Sequence, residues 1–197
     1  MFTFRTCSVE GCHSFVCDGH DTCFRHCQDQ PQVLRNAAER MTSHGRVDDM
    51  TITNAEFSDL DCSKTQMFTC NLGFCTFRNM DFSGMRLVTC SLDFCLFDRC
   101  RFPDVDSRYT VFAGSKFIDC DFGGSMLLHT NFVGCDIIQC DFTSSDLYYS
   151  NFTSAHLRDV KFQDCNMKKA DFRYTDRRRV SFKYSNYEEA SFTQDIQ

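Results

Sequence analysis

The chain has 197 residues, a formal charge of −6 and 42% hydrophobic residues, which leaves room for one main domain and a small appendage. No apolar run approaches the roughly 18 residues needed to span a membrane, and Met1-Phe2-Thr3-Phe4-Arg5 lacks the apolar core of a signal peptide, so a cytoplasmic protein with no membrane partner is expected. Fifteen cysteines, an odd number without an export signal, fit a reducing compartment better than a disulfide scaffold.

Residues 1–29 form a Cys/His-rich segment. Cys7, Cys12, Cys23 and His26 read C-x4-C-x10-C-x2-H, three thiols and an imidazole at spacings that a tetrahedral ion can gather from two turns. Cys17, His20 and Cys27 are spare candidates. The Glu10-Gly11-Cys12 turn and the Cys-x-x-His ending resemble small zinc-knuckle modules found at the ends of many bacterial proteins. A segment this short has almost no core, so a structural zinc is expected to supply its folding energy. A loose or disulfide-stapled leader is the competing reading.

Over 30–46 the text turns helical, with Val33, Leu34, Ala37 and Met41 on one stripe, Asp29 or Gln30 before Pro31 at the start, and Gly45 as a stop. The spacing predicts a helix of about 12 residues that covers the first coil of the downstream segment, near Ile52 and Phe57.

From 47 to 197 one periodicity dominates. From Phe57 to Phe192 a large apolar residue returns at every fifth position, broken only at Cys62, Ser107 and Arg177. Two residues ahead of it runs a series of small residues that takes in nine of the cysteines, among them Cys70, Cys75, Cys90, Cys95, Cys100, Cys120 and Cys140. A period of five fits neither helix nor strand. It demands a coil that turns a corner every five residues, points both series inward, and stacks on its neighbours to bury them.

These residues resemble the pentapeptide-repeat family, whose unit is a small residue, Asp or Asn, then Leu or Phe, then two polar residues. Asn131-Phe132, Asp141-Phe142, Asn151-Phe152 and Asp171-Phe172 carry the resemblance most closely. It implies an all-β solenoid, a right-handed quadrilateral β-helix with four pentapeptides to a coil. The 28 slots from Phe57 to Phe192 then give about seven coils and a rod of about 34 Å. Residues 20 apart should stack, so Phe82 to Phe182 and Phe112 to Phe192 are expected to form two ring ladders through the core.

Two interruptions invite a local reading. Around Ser107, the segment Phe102-Pro103-Asp104-Val105-Asp106 is expected to bulge or loop out. Arg177, in an inward slot, is expected to be expelled in a second bulge, with Asp159 as a salt-bridge partner one coil below Arg179.

No phosphate loop or nucleophile elbow appears, and His129 and His156 look isolated, so the chain is expected to be a non-catalytic binding or scaffold protein rather than an enzyme. A zinc enzyme would need an open metal position, which three cysteines and a histidine do not leave. Some members of the resembled family mimic duplex DNA and bind DNA gyrase or another type II topoisomerase. That role would use the acidic middle of the rod, Asp104, Asp106, Asp119, Asp121, Asp136, Asp141 and Asp146, although the repeat favours Asp at such positions for its own turn chemistry. Residues 156–197 carry a net +2, too interleaved with acid to argue for direct nucleic-acid binding. A homodimer through the C-terminal coil is expected from the apolar edge around Phe192.

Overall fold

The computed structural model describes residues 5–193. Every fifth residue from His44 to Tyr184 adopts a left-handed φ, between 50° and 68°, and each such residue turns one corner of the coil. Four corners close a turn of 20 residues, and the product is a parallel β-solenoid of about seven turns.

Opposite sides of the coil are alike. One side is a five-stranded parallel sheet that starts with Arg46–Asp48 and Gln66–Phe68 and ends with Met126–Leu128. The side facing it is a seven-stranded parallel sheet from Glu56–Ser58 to Asp176–Arg178. The two remaining sides stack through single bridges, such as Asp81↔Arg101, Arg101↔Asp121 and Asp121↔Asp141, apart from the short parallel pair Asp171–Phe172 with Ser191–Phe192. All pairings hold a 20-residue register. The inward series also reaches back beyond Phe57, to the buried Val47 and Ile52.

The small inward residue has a polar task. Its hydroxyl or thiol donates to the carbonyl 23 residues earlier, on the preceding coil: Ser125 to Phe102 at 2.6 Å, Ser145 to Phe122 at 2.8 Å, Cys95 to Leu72 at 3.2 Å and Cys135 to Phe112 at 3.0 Å. These buried hydroxyls and thiols are thereby satisfied, as burial requires. The fifteen cysteines are free thiols. Burial pushes the Cys75 and Cys135 thiols up to about 12, which keeps them neutral donors.

The large inward residues build ring ladders. Phe102, Phe122 and Phe142 stack at 4.4 and 4.6 Å, nearly parallel, and Phe132, Phe152 and Phe172 stack at 4.7 Å. The two columns meet edge to face, as Phe132 and Phe142 do at 6.1 Å. A third ladder of Phe57, Phe77, Phe97 and Phe117 occupies the first half of the seven-stranded side. It gives way to Ile137 and Leu157 one coil after Leu72 and Leu92 are succeeded by Phe112 on a neighbouring side. The bulk moves from one side to another while the cross-section stays filled.

The predicted bulge at Ser107 does not occur. Strand Asp106–Arg108 pairs on both sides, with Ser107 between Leu87 and Leu127. Ser107 is fully buried, and its hydroxyl meets that of Thr130 at 3.2 Å. Pro103 also fits without distortion, for a reason that the repeat makes clear. On this side an Asp normally accepts a hydrogen bond from the N–H two residues on: Asp81 from Ser83, Asp121 from Gly123 and Asp141 from Thr143, each at 2.9 Å. At Arg101 no acceptor is present, and Pro103 has no N–H to satisfy. Arg177 is likewise not expelled. Strand Asp176–Arg178 keeps register with His156–Arg158, and the half-buried guanidinium lies 5.0 Å from the centre of the Phe192 ring. Arg179 does pair with Asp159, Nη2 to Oδ2 at 2.7 Å.

Helix α1 (Gln30–Met41) starts at Asp29, whose side chain accepts the Gln32 N–H at 2.9 Å, with Pro31 in the first turn. Its buried face of Val33, Ala37 and Met41 joins the same core as Val47, Met50, Ile52 and Phe57, and Thr65 Oγ1 donates to the carbonyl of Met41 at 2.9 Å. The helix therefore closes the N-terminal end of the rod.

Replacing Phe122 by Ala removes one ring from a continuous ladder and should lower unfolding stability by about 3–5 kcal/mol. Ile137→Phe forces an extra ring beside Phe132 and Phe142 and should cost about 1–3 kcal/mol. Urea denaturation midpoints measure both; a neutral Ile137→Phe would contradict the filled cross-section.

Candidate metal centre

The N-terminal module is folded by two short turns. Thr6 and Phe15 bridge in antiparallel fashion, Cys7 N–H donates to the Ser14 carbonyl at 2.9 Å, and the loop between them turns at Gly11, whose φ is +76°. The second turn is the 3-10 helix Phe24–His26, with Cys23 at its N-cap. These turns bring Cys7 and Cys12 against Cys23 and His26.

The four ligand atoms lie within 4.8 Å of one another. Cys12 Sγ and Cys23 Sγ are 3.8 Å apart, Cys7 Sγ lies 3.3 Å from His26 Nδ1, and Cys23 Sγ lies 3.5 Å from the same nitrogen. A tetrahedral ion with bonds of about 2.3 Å to sulfur and about 2.0 Å to nitrogen would hold its sulfurs about 3.8 Å apart and sulfur to nitrogen about 3.5 Å. The three separations are close to a tetrahedron's edges, so these three thiols and one imidazole could hold a metal ion. Burial opposes ionisation of Cys7, but backbone N–H groups at Cys23 and Val9, with the His26 and Cys23 side chains, bring its thiol down to about 6. Burial raises the Cys23 thiol.

The spare candidates stand outside the cluster. Burial and the nearby Cys27 push the Cys17 thiol up to about 12, Cys27 Sγ packs 3.4 Å from Thr22 Oγ1, and His20 is exposed. Asp18 fixes the module to the rod: its side chain accepts the Thr51 N–H at 3.0 Å and its N–H donates to the Thr51 carbonyl at 3.2 Å, while Arg40 of α1 pairs with the same carboxylate.

The seven acidic residues of the rod's middle spread over three of its four sides. Asp104, Asp121 and Asp141 belong to the Phe122 side, Asp106 and Asp146 to the Leu127 side, and Asp119 and Asp136 to the Phe117 side. Asp121 and Asp141 stack one coil apart. Asp106 pairs with Arg108 at 2.7 Å and Arg86 at 3.5 Å, and Asp141 with Lys161 at 3.0 Å.

His129 is not isolated. Its ring stacks between Tyr109 at 5.0 Å and Tyr149 at 4.9 Å, and Lys169 Nζ continues the column, 2.7 Å from the Tyr149 hydroxyl. This exposed rail runs along one corner of the rod; its signal in the sequence is the 20-residue interval that links positions 109 to 169.

These features define a solenoid repeat protein with a Cys/His module at its N-terminal end. Residues 115–192 match the model of the pentapeptide repeat region, so this part of the chain resembles that family. No curated protein matches the sequence significantly. Among solved structures, trypsin-treated QnrB1, described as a plasmid-mediated fluoroquinolone resistance protein, is 16% identical over 76% of this chain and 86% of its own, with a TM-score of 0.45. HetL, described as involved in heterocyst differentiation regulation in the cyanobacterium Nostoc sp. strain PCC 7120, is 14% identical over 81% of this chain and 95% of its own, with a TM-score of 0.32. Among the described residues no helix is long and apolar enough to cross a membrane.

Burial raises the Asp141 carboxyl, but Thr143 and Lys161 outweigh it and hold the group below the usual carboxylate range. Its contribution is present above the unfolded value of about 3.9 and is lost as pH falls through the folded value. Asp141→Asn should lower stability at pH 7 by up to about 1 kcal/mol, given its partial exposure. The difference from wild type, read from urea midpoints, should narrow progressively as pH falls below about 4.

Proposed function

We propose that the chain is a non-catalytic binding or scaffold protein of the cytoplasm that recognises a protein partner through the outer columns of its rod, with a zinc-held module at the N-terminal end. The observation that carries this reading is the rail of Tyr109, His129, Tyr149 and Lys169. The rod fixes a row of exposed aromatic and basic side chains one coil apart, with Tyr109 60% exposed. Tyrosine is a residue that interfaces favour, and a rail preset by the backbone loses little freedom on binding. A photo-crosslinker placed at Tyr149 should capture one defined protein in cells, and Tyr109→Ala with Tyr149→Ala should abolish capture from a second crosslinking position at Val133. Undiminished capture by that double variant would overturn this surface.

Zinc is proposed at Cys7, Cys12, Cys23 and His26 because the donor spacing fits its tetrahedron. Protein purified under reducing conditions should contain about one zinc per chain, and Cys23→Ser should lose it. Metal-free wild type with the module still folded would contradict the assignment.

The second reading is DNA mimicry toward gyrase or another type II topoisomerase. Between residues 104 and 155 the net charge is −5, spread along roughly 12 Å of rod, where duplex DNA would carry about seven charges. The scatter of the acids over three sides and the pairing of Asp106 and Asp141 with cations weigh against it. Inhibition of gyrase supercoiling by micromolar protein, relieved by Asp121→Lys with Asp141→Lys, would favour this reading; no effect removes it for that enzyme. Phe182 and Phe192 at the C-terminal end are only partly buried, and pairing of two copies there is part of the proposal. Light scattering that shows only monomer at high concentration would contradict it.

A further inference from the structure

A cavity of about 530 Å³ lies between the Cys/His module and the rod, within the range of about 300–1,000 Å³ usual for ligand sites. His13 and Phe15 of the module form one wall, and Asn71, Phe74 and Asp93 of the rod form the other. Asp18, Thr51 and Arg40 hold the two walls together.

Asp93 lacks a cationic partner among the described residues. Its Oδ1 accepts from the Ser91 hydroxyl, and Oδ2 makes no hydrogen bond or ion pair within them. Gly73 makes room for this carboxylate, since a Cβ there would lie 3.1 Å from Asp93 Oδ1. The adjoining ring of Phe74, 54% exposed, is stacked on Phe94 at 5.2 Å. Phe94 in turn lies over Gly114, where a Cβ would fall 2.5 Å from the ring. Two glycines therefore clear the space in which a carboxylate and an aromatic rail stand side by side.

A carboxylate with no cationic partner among the described residues, set beside aromatic rings, is the chemistry that receives an ammonium or guanidinium group. The rod side of the cavity spans three coils, from Asn54 through Phe74 to Asp93, roughly 10 Å or the reach of about three extended residues. Asn54, Asn71 and Ser91 line it with amide and hydroxyl groups able to bond a main chain. We propose that this groove seats an arginine or lysine side chain carried on an extended segment of a partner protein. The proposal rests on the reading of the chain as a binding protein and deepens it at one groove; loss of this groove leaves the Tyr149 rail untouched.

The test uses the full chain, purified under reducing conditions and 15N-labelled, titrated with the peptide acetyl-Gly-Gly-Arg-Gly-Gly-amide. Saturable shifts are expected at the amides of Asn71, Phe74 and Asp93. The same peptide with neutral citrulline in place of arginine should bind at least about tenfold more weakly. Asp93→Asn should weaken the arginine peptide to a similar degree with the remaining spectrum unchanged, and Phe74→Leu serves as a second variant that removes the ring without touching the carboxylate. Absence of saturable shifts at millimolar peptide, equal binding of the citrulline peptide, or full binding by both variants overturns the proposal. Equal affinity for free N-acetylarginine amide overturns the peptide assignment in favour of a small organic cation.

Discussion

The rod depends on coils that stack in one 20-residue register, reinforced at many positions by a repeated side-chain bond. A small inward hydroxyl or thiol donates to the carbonyl 23 residues before it, and the backbone above and below pairs in the same 20-residue register. This bond explains why serine, threonine and cysteine share one slot: each is small, and each brings a donor. The stacking also explains how the corners survive. A left-handed φ at a non-glycine residue costs on the order of 1–2 kcal/mol, and Phe74, Thr89 and Tyr109 all adopt one. Stacked rings inside and paired backbone between coils offset that cost at every turn.

Much of the fold is legible in the sequence because it derives from a count of five. The Phe82 to Phe182 column, the inward cysteines and the capping helix can all be placed from spacing alone. Ser107 cannot, because a lone polar residue in an apolar slot looks like a break until Thr130, 23 residues later, is seen to share its hydroxyl. Pro103 looks disruptive for a similar reason. Its compatibility depends on Arg101, which lacks the acceptor that an aspartate would offer to the missing N–H. His129 looks isolated because its neighbours, Tyr109 and Tyr149, are distant in sequence and adjacent only along the rod.

The module is legible in outline. The spacing singles out Cys7, Cys12, Cys23 and His26, yet the choice over Cys17, His20 and Cys27 rests on the Gly11 turn and the short helix that starts after Cys23. The acidic middle is the least legible feature. A run of aspartates along a sequence wraps around a solenoid, so close neighbours in the chain face different directions, and several use their oxygens to hold their own corners. Chemistry that belongs to the repeat and chemistry offered to a partner therefore share the same residue type.

Two kinds of stability meet at the N-terminal end: a rod held by stacked coils and a module with little core of its own, whose three thiols and one imidazole converge on one point. Hydrogen exchange before and after metal removal by a chelator separates them most directly. Residues 5–27 should lose protection while the amides from Phe97 to Phe172 keep theirs. Unchanged protection in the module, or collapse of protection along the whole rod, would contradict a metal-held module on a self-sufficient solenoid.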